Sequence, residues 1–138
     1  MVYQLVIDTN VLVSALKSSK GASFRLLSLI GTGKFDLNIS TPLVVEYEET
    51  LKRESHHLSE NGIADILDYI CAVAHKHKIF YLWRPILKDP DDDFILELAV
   101  KSNAWIITYN KADFKKALNF KVKVMTPKEF LRLIGEIP

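Results

Sequence analysis

Leu5-Val6-Ile7 is a continuous branched apolar run, the pattern of a strand covered on both faces of a parallel sheet, and it predicts a strand over Tyr3–Ile7 that stops at Asp8. Val11 to Leu16 is apolar with helical or turn character. Gly21 to Leu29 then places Phe24, Leu26 and Leu27 at helical spacing, with Gly31 and Gly33 as the stop. Phe35 to Ile39 alternates as a second strand. Ser40-Thr41-Pro42 opens a helix, with Thr41 expected as N-cap, Pro42 in the first turn, and Leu43, Val44, Tyr47 and Leu51 as its buried stripe. The polar run 55–62, with His56, His57 and Asn61, predicts a loop, and a helix over Ile63–His77 comes next with Ile66, Leu67, Ile70 and Val73 inward.

Ile79 to Leu82 is a weaker strand pattern, and Pro85 and Asp89-Pro90 interrupt it. An acidic cluster then opens a helix carrying Phe94, Ile95, Leu98 and Ala99 inward, its carboxylates complementing the helix dipole. Trp105 to Thr108 predicts a buried strand, Ala112 to Leu118 a short helix, and Val122 to Met125 a last strand. Thr126-Pro127-Lys128-Glu129 is a capping box for the final helix. Strands alternating with helices at such intervals imply βαβ crossovers, hence an α/β fold with a mostly parallel sheet covered by helices on both faces. Residues 1–138 carry no linker, repeat or low-complexity stretch and read as a single domain.

Composition narrows the class. With 138 residues, 49% apolar and 25% charged, the chain can bury a core without staples, and its net charge of +1 argues against a protein that coats nucleic acid. Cys71 is the single cysteine, so no intrachain disulfide forms, which suits a reducing compartment. No apolar run has the length of a membrane span and no signal-peptide pattern begins the chain, so the expected location is cytoplasmic, with no membrane partner. Charge is unevenly placed, however: Asp89, Asp91, Asp92 and Asp93 cluster, while Lys111 to Arg132 is rich in lysine.

In parallel sheets ligands lie beyond the carboxyl ends of strands. Those positions hold Asp8, Glu46 one turn into the helix after the second strand, the acidic cluster, and Asn110 after Thr108. Carboxylates gathered there repel one another and call for a cation. A hard-oxygen set without His or Cys matches Mg²⁺ or Mn²⁺ and suggests phosphodiester chemistry.

Val6-Ile7-Asp8-Thr9-Asn10-Val11, Glu46-Tyr47 after Thr41-Pro42, Asp89-Pro90-Asp91-Asp92-Asp93-Phe94 and Ile107-Thr108-Tyr109-Asn110-Lys111-Ala112-Asp113-Phe114 together resemble a PIN domain, in order and spacing, over nearly the whole chain. The subgroup it is similar to comprises toxin components of toxin-antitoxin systems. That resemblance implies a three-layer α/β/α fold with about five strands and a Mg²⁺- or Mn²⁺-dependent ribonuclease acting on RNA. An antitoxin protein and a homodimer or higher oligomer are the partners it suggests. It implies Asp8, Glu46 and Asp92 as metal-binding acids, with Asp93 the near alternative to Asp92, and Thr9 and Asn10 shaping the turn around the first acid. Many members carry an Asp where this chain has Asn110, an amide that adds no charge, and Asp113 could compensate through water.

Other classes compete with this one. An aspartate-nucleophile phosphatase also begins with a strand ending in Asp, but needs a second Asp where Asn10 stands. A non-enzymatic RNA- or protein-binding module is the other alternative, favoured by Asn110. Taken singly, Asp8 could be a turn carboxylate, Glu46 an exposed helix residue and the Asp run a solvated helix start. His56-His57 and His75-Lys76-His77 lack metal-ligand geometry and read as surface residues, and Cys71 reads as core. Tyr81, Trp83 and Arg84 could stack on or pair with RNA, and Thr9, Asn10, Thr108, Lys111 and Lys115 are candidates for substrate contact, the lysines as trackers of phosphate.

Overall fold

The computed structural model describes residues 2–78 and 90–138, with the backbone alone for 90–92. The strand expected at Ile79–Leu82, and Tyr81, Trp83, Arg84 and Asp89, lie outside the described residues. Among the described residues five strands run β1 (Tyr3–Ile7), β2 (Phe35–Ser40), β3 (His75–His77), β4 (Trp105–Ile107) and β5 (Val124–Met125). They are parallel throughout, in the order β3-β2-β1-β4-β5. The helices described with them are α1 (Thr9–Lys17), α2 (Ala22–Ser28), α3 (Thr41–Glu54), α4 (Glu60–Val73), α5 (Pro90–Ser102) and α6 (Pro127–Leu133). A 3₁₀ segment, Lys111–Phe120, joins β4 to β5 and kinks at Phe114.

Right-handed crossovers dictate the layers. Stepping from β1 outward to β3 puts α1 to α4 on one face, and the return to β4 and β5 puts α5 and the 3₁₀ segment on the other. Contacts agree: α1 packs on α2 and α3, α3 on α4 and α6 on α2, while α5 lies on β1, β2, β4 and the 3₁₀ segment. Leu5, Leu37, Ile39, Leu26, Leu43 and Ile70 fill the core of the first layer, and Phe130 meets Tyr3, Phe35 and Trp105 edge-on below it.

Several boundaries differ from the sequence expectation. Ser40 rather than Thr41 caps α3, its hydroxyl accepting from the Leu43 amide, because β2 runs directly into the helix and the last strand residue supplies the oxygen. The helix expected to reach His77 ends at Val73, and His75–His77 pairs with Asn38–Ser40 as the edge strand β3. That pairing overrides the weak helical pattern of the segment. Val73, expected inward, is exposed, and Ile63 takes its place among the buried residues of α4. Cys71 is half-buried against the core rather than within it. His57 bonds the Leu16 carbonyl at 2.7 Å and His75 faces Asp36 at 3.3 Å, both exposed side chains. Among the described residues no helix is long and apolar enough to cross a membrane.

Candidate metal centre

Strand order reverses between β1 and β4, so the connections leaving these two neighbours diverge and open a crevice at their carboxyl ends. Register sets Ile7 beside Ile107, and the Asp8 amide continues the ladder onto the Ile107 carbonyl at 2.9 Å. Asp8 and Thr108 therefore leave the sheet side by side.

Asp8 is the N-cap of α1: its Oδ1 accepts from the Thr9 amide at 2.8 Å. Its Oδ2 accepts from the fully buried Thr108 hydroxyl at 2.7 Å and from the Asn10 amide group at 3.3 Å. Thr108 Oγ1 in turn accepts from the Asn110 backbone at 3.0 Å and from Asn10 Nδ2 at 3.4 Å. Glu46 enters from α3, one turn past its start, and its Oε2 accepts from the Thr9 hydroxyl at 3.0 Å. Thr9 thus bridges the acids, giving its amide to Asp8 and its hydroxyl to Glu46. Beneath them the buried Tyr47 donates to the Ile7 carbonyl. Burial, then the Asp8 and Glu46 charges, push its phenol well above the ordinary value, so it remains a neutral donor under the site.

Asp8, Glu46, Thr9, Asn10, Asn110 and Asp113 border one open cleft of about 510 Å³. Its walls are two helical stripes, Asn10, Val13, Ser14 and Lys17 on α1, and Glu46, Thr50, Arg53 and Glu54 on α3. Asp8 and Glu46 stand at one end. Lys17 and Arg53 stand about 10 Å further on, at 1.5 Å of rise per residue, and Arg53 there pairs with Glu54 at 3.6 Å. These two cations are functional candidates that the sequence reading missed, since only the pairing of α1 with α3 brings them together.

Lys111 and Lys115 do not line the cleft. Lys111 instead reaches Glu129 at 3.0 Å, joining the capping box of α6, and Lys115 is exposed on the 3₁₀ segment. Among the described residues no three His, Cys, Asp or Glu side chains gather closely enough to hold a metal by themselves. Asp92 lies in the first turn of α5, but its side chain is outside the described residues. Asp93 is 7% exposed and faces Glu97, one turn on.

Glu97 was also missed, hidden inside the apolar stripe Ile95, Leu96, Leu98 and Ala99, all of them buried. It is 9% exposed, and burial first, then the Asp93 charge, raise its carboxyl pKa above the usual value. A raised carboxylate pKa favours folding fully below the unfolded value, and that contribution is lost as pH rises through the folded one. Glu97→Gln is therefore expected to raise stability at pH 7 and to leave it unchanged at pH 4 or below. Urea unfolding in EDTA at the two pH values checks this, and an equal effect at both would contradict it.

Among the described residues the donors around the cleft are carboxylate, amide and hydroxyl oxygens, and neither His nor Cys borders it. Such a set fits a hard divalent cation and not a soft one.

A parallel α/β sheet with an acid-bordered crevice at its switch point defines the structural class. Residues 4–112 match the family model of the PIN domain. A protein of Methanocaldococcus jannaschii, the uncharacterized protein MJ1680, is 33% identical over 144 residues, covering 93% of this chain and 89% of that one. The fold is shared with VapBC2 from Rickettsia felis, solved with a DNA fragment from its promoter (TM-score 0.61, 16% identity, 88% of this chain and 96% of that one). It is shared equally with VapBC-1 from Haemophilus influenzae (TM-score 0.61, 16% identity, 91% and 98%). The chain belongs to the PIN domain family, whose members are generally metal-dependent nucleases.

Proposed function

We propose that this PIN domain is a divalent-metal-dependent endoribonuclease and the toxin of a toxin-antitoxin pair, working in the cytoplasm. Asp8, Glu46 and Asp92 would hold Mg²⁺ or Mn²⁺, with Asp93 as an adjoining acid. The observation that carries this reading is the Asp8–Thr9–Glu46 bridge at the sheet's switch point, where two acids from distant segments meet in one cleft. When bound, the ion supplies a water of lowered pKa and charge stabilisation at the scissile phosphate.

The chain's own groups do the positioning. Thr108 and Asn10 hold Asp8 Oδ2 in one orientation, as outer-shell donors do for metal-binding carboxylates. Asn110 borders the cleft, where its amide oxygen would accept from a water. Lys17 and Arg53 in the cleft, and Lys111 and Lys115 outside it, are cations for the phosphates of single-stranded RNA. Likeness in fold to VapBC proteins supports the toxin role, with a small antitoxin as partner and a homodimer or higher oligomer as the assembly.

Asn10 argues against the aspartate-nucleophile phosphatase: its amide donates to Asp8 and Thr108 and cannot serve as an acid. The neutral Asn110 favours the second reading, a module that binds RNA without cutting it.

Labelled single-stranded RNA incubated with the protein and Mn²⁺ is expected to be cut, with cutting abolished by EDTA and restored by excess Mn²⁺. Binding without cutting at any Mn²⁺ concentration would favour the module.

A further inference from the structure

We propose that Tyr109 is a stacking platform for an unpaired RNA base beside the scissile phosphate, and so a specificity-determining residue of this site. The proposal rests on the nuclease reading. Tyr109 stands between Thr108, which bonds Asp8, and Asn110, which borders the cleft. Its backbone amide donates to Asn10 Oδ1 at 3.4 Å, while the other end of that same amide group donates to Asp8. Its phenol hydroxyl bonds the hydroxyl of Ser23, a buried residue in the first turn of α2.

The residue is thus tied at its backbone and at its hydroxyl, and is yet 45% exposed. Tyrosines at surfaces ordinarily bury the ring and wet the hydroxyl. Here the hydroxyl is spent on a buried partner while nearly half of the residue stays open to solvent. A single exposed aromatic is commonplace on its own. What distinguishes Tyr109 is fixation before any ligand arrives, because the rotamer freedom that stacking would otherwise remove is already gone. Single-stranded RNA presents unstacked bases, and proteins take them up on aromatic faces regardless of base identity. Tyr109 is not among the residues that line the cleft, but its backbone is fixed to Asn10 and its neighbours Thr108 and Asn110 reach the site. A platform there would hold a nucleotide flanking the bond being cut, and would discriminate against paired RNA, whose bases are not free to leave the helix.

The experiment measures binding of a short single-stranded RNA in EDTA, so that cutting plays no part. Wild type, Tyr109→Leu and Tyr109→Phe are compared on the intact oligomer and on a series carrying one abasic nucleotide at successive positions. Tyr109→Leu is expected to weaken binding about 5- to 150-fold, the equivalent of ~1–3 kcal/mol for one stacked base. Tyr109→Phe keeps the ring and is expected to bind within about threefold of wild type. One abasic position should weaken wild type by a similar factor and leave Tyr109→Leu unaffected.

Binding by Tyr109→Leu at the wild-type level overturns the proposal, as does an abasic penalty that persists in that variant. Equal losses in the Phe and Leu variants would also overturn it, by assigning the effect to the Ser23 contact. Should Tyr109→Leu fail to fold, the Phe variant and the abasic series on wild type still decide. Wild type that cuts RNA with no abasic-sensitive position sinks the platform alone, whereas wild type that neither binds nor cuts RNA sinks the nuclease reading with it.

Discussion

Asp8→Asn is expected to remove Mn²⁺-dependent RNA cleavage, by at least about a hundredfold, while the protein stays folded. Loss of an outer-shell partner alone typically reduces metal affinity or activity 10- to 100-fold, and Asp8 is proposed as a direct ligand. The fold should survive because Asn caps helices as well as Asp, and its oxygen can still accept from the Thr9 amide. The other oxygen position is the expensive one. Oδ2 receives two donors, Thr108 and Asn10, and an amide nitrogen there would face both. Against that stands relief of the repulsion between Asp8 and the neighbouring Glu46 charge. These terms oppose each other, so the unfolding midpoint should move by no more than a few degrees. Full cleavage by a folded Asp8→Asn protein would remove Asp8 from the site, whatever its position at the sheet edge.

The sheet was legible in the sequence because parallel central strands are buried on both faces and read as unbroken apolar runs: Leu5-Val6-Ile7 and Trp105-Ile106-Ile107 fall where β1 and β4 form. β3 was not. His75-Lys76-His77 carries no apolar residue, and it becomes a strand only because β2 offers it an edge to pair with. The site divides in the same way. Asp8, Glu46 and Asn110 could be placed from their positions just past the strand ends, where parallel topology puts ligand contacts. Lys17, Arg53 and Tyr109 could not, since each owes its position to contacts between segments: α1 against α3 for the cations, Ser23 of α2 for the ring. Glu97 misled for a simpler reason, since an acid between apolar neighbours on a helix ordinarily turns outward. Lys111 stands outside the cleft because an exposed cation near a strand end is equally free to pair with Glu129, a contact that sequence position does not reveal.

Thr108→Val should lower both stability and cleavage, and Thr108→Ser should recover both. Valine matches threonine in shape, so the fully buried position is refilled without a cavity, and only the hydroxyl disappears. That hydroxyl serves three groups at once: it donates to Asp8 Oδ2 and accepts from the Asn110 backbone and the Asn10 side chain. Removing it takes the shorter of two donors from the Asp8 carboxylate oxygen and takes the hydroxyl acceptor from the Asn110 backbone N–H, an effect of about 1–3 kcal/mol that thermal unfolding would register as a drop of several degrees. Asp8 then loses its shorter restraint and retains the weaker one from Asn10. The carboxylate should swing within its pocket, and cleavage should fall about 10- to 100-fold with the metal dependence shifted to higher Mn²⁺. Serine supplies the same oxygen with one methyl fewer, so it is expected to restore the Mn²⁺ midpoint to near wild type while regaining most of the stability. A loss of stability in Thr108→Val with an unchanged Mn²⁺ midpoint would make the hydroxyl a brace for the β4 turn alone, and would place the orientation of Asp8 with Asn10 and Thr9 instead.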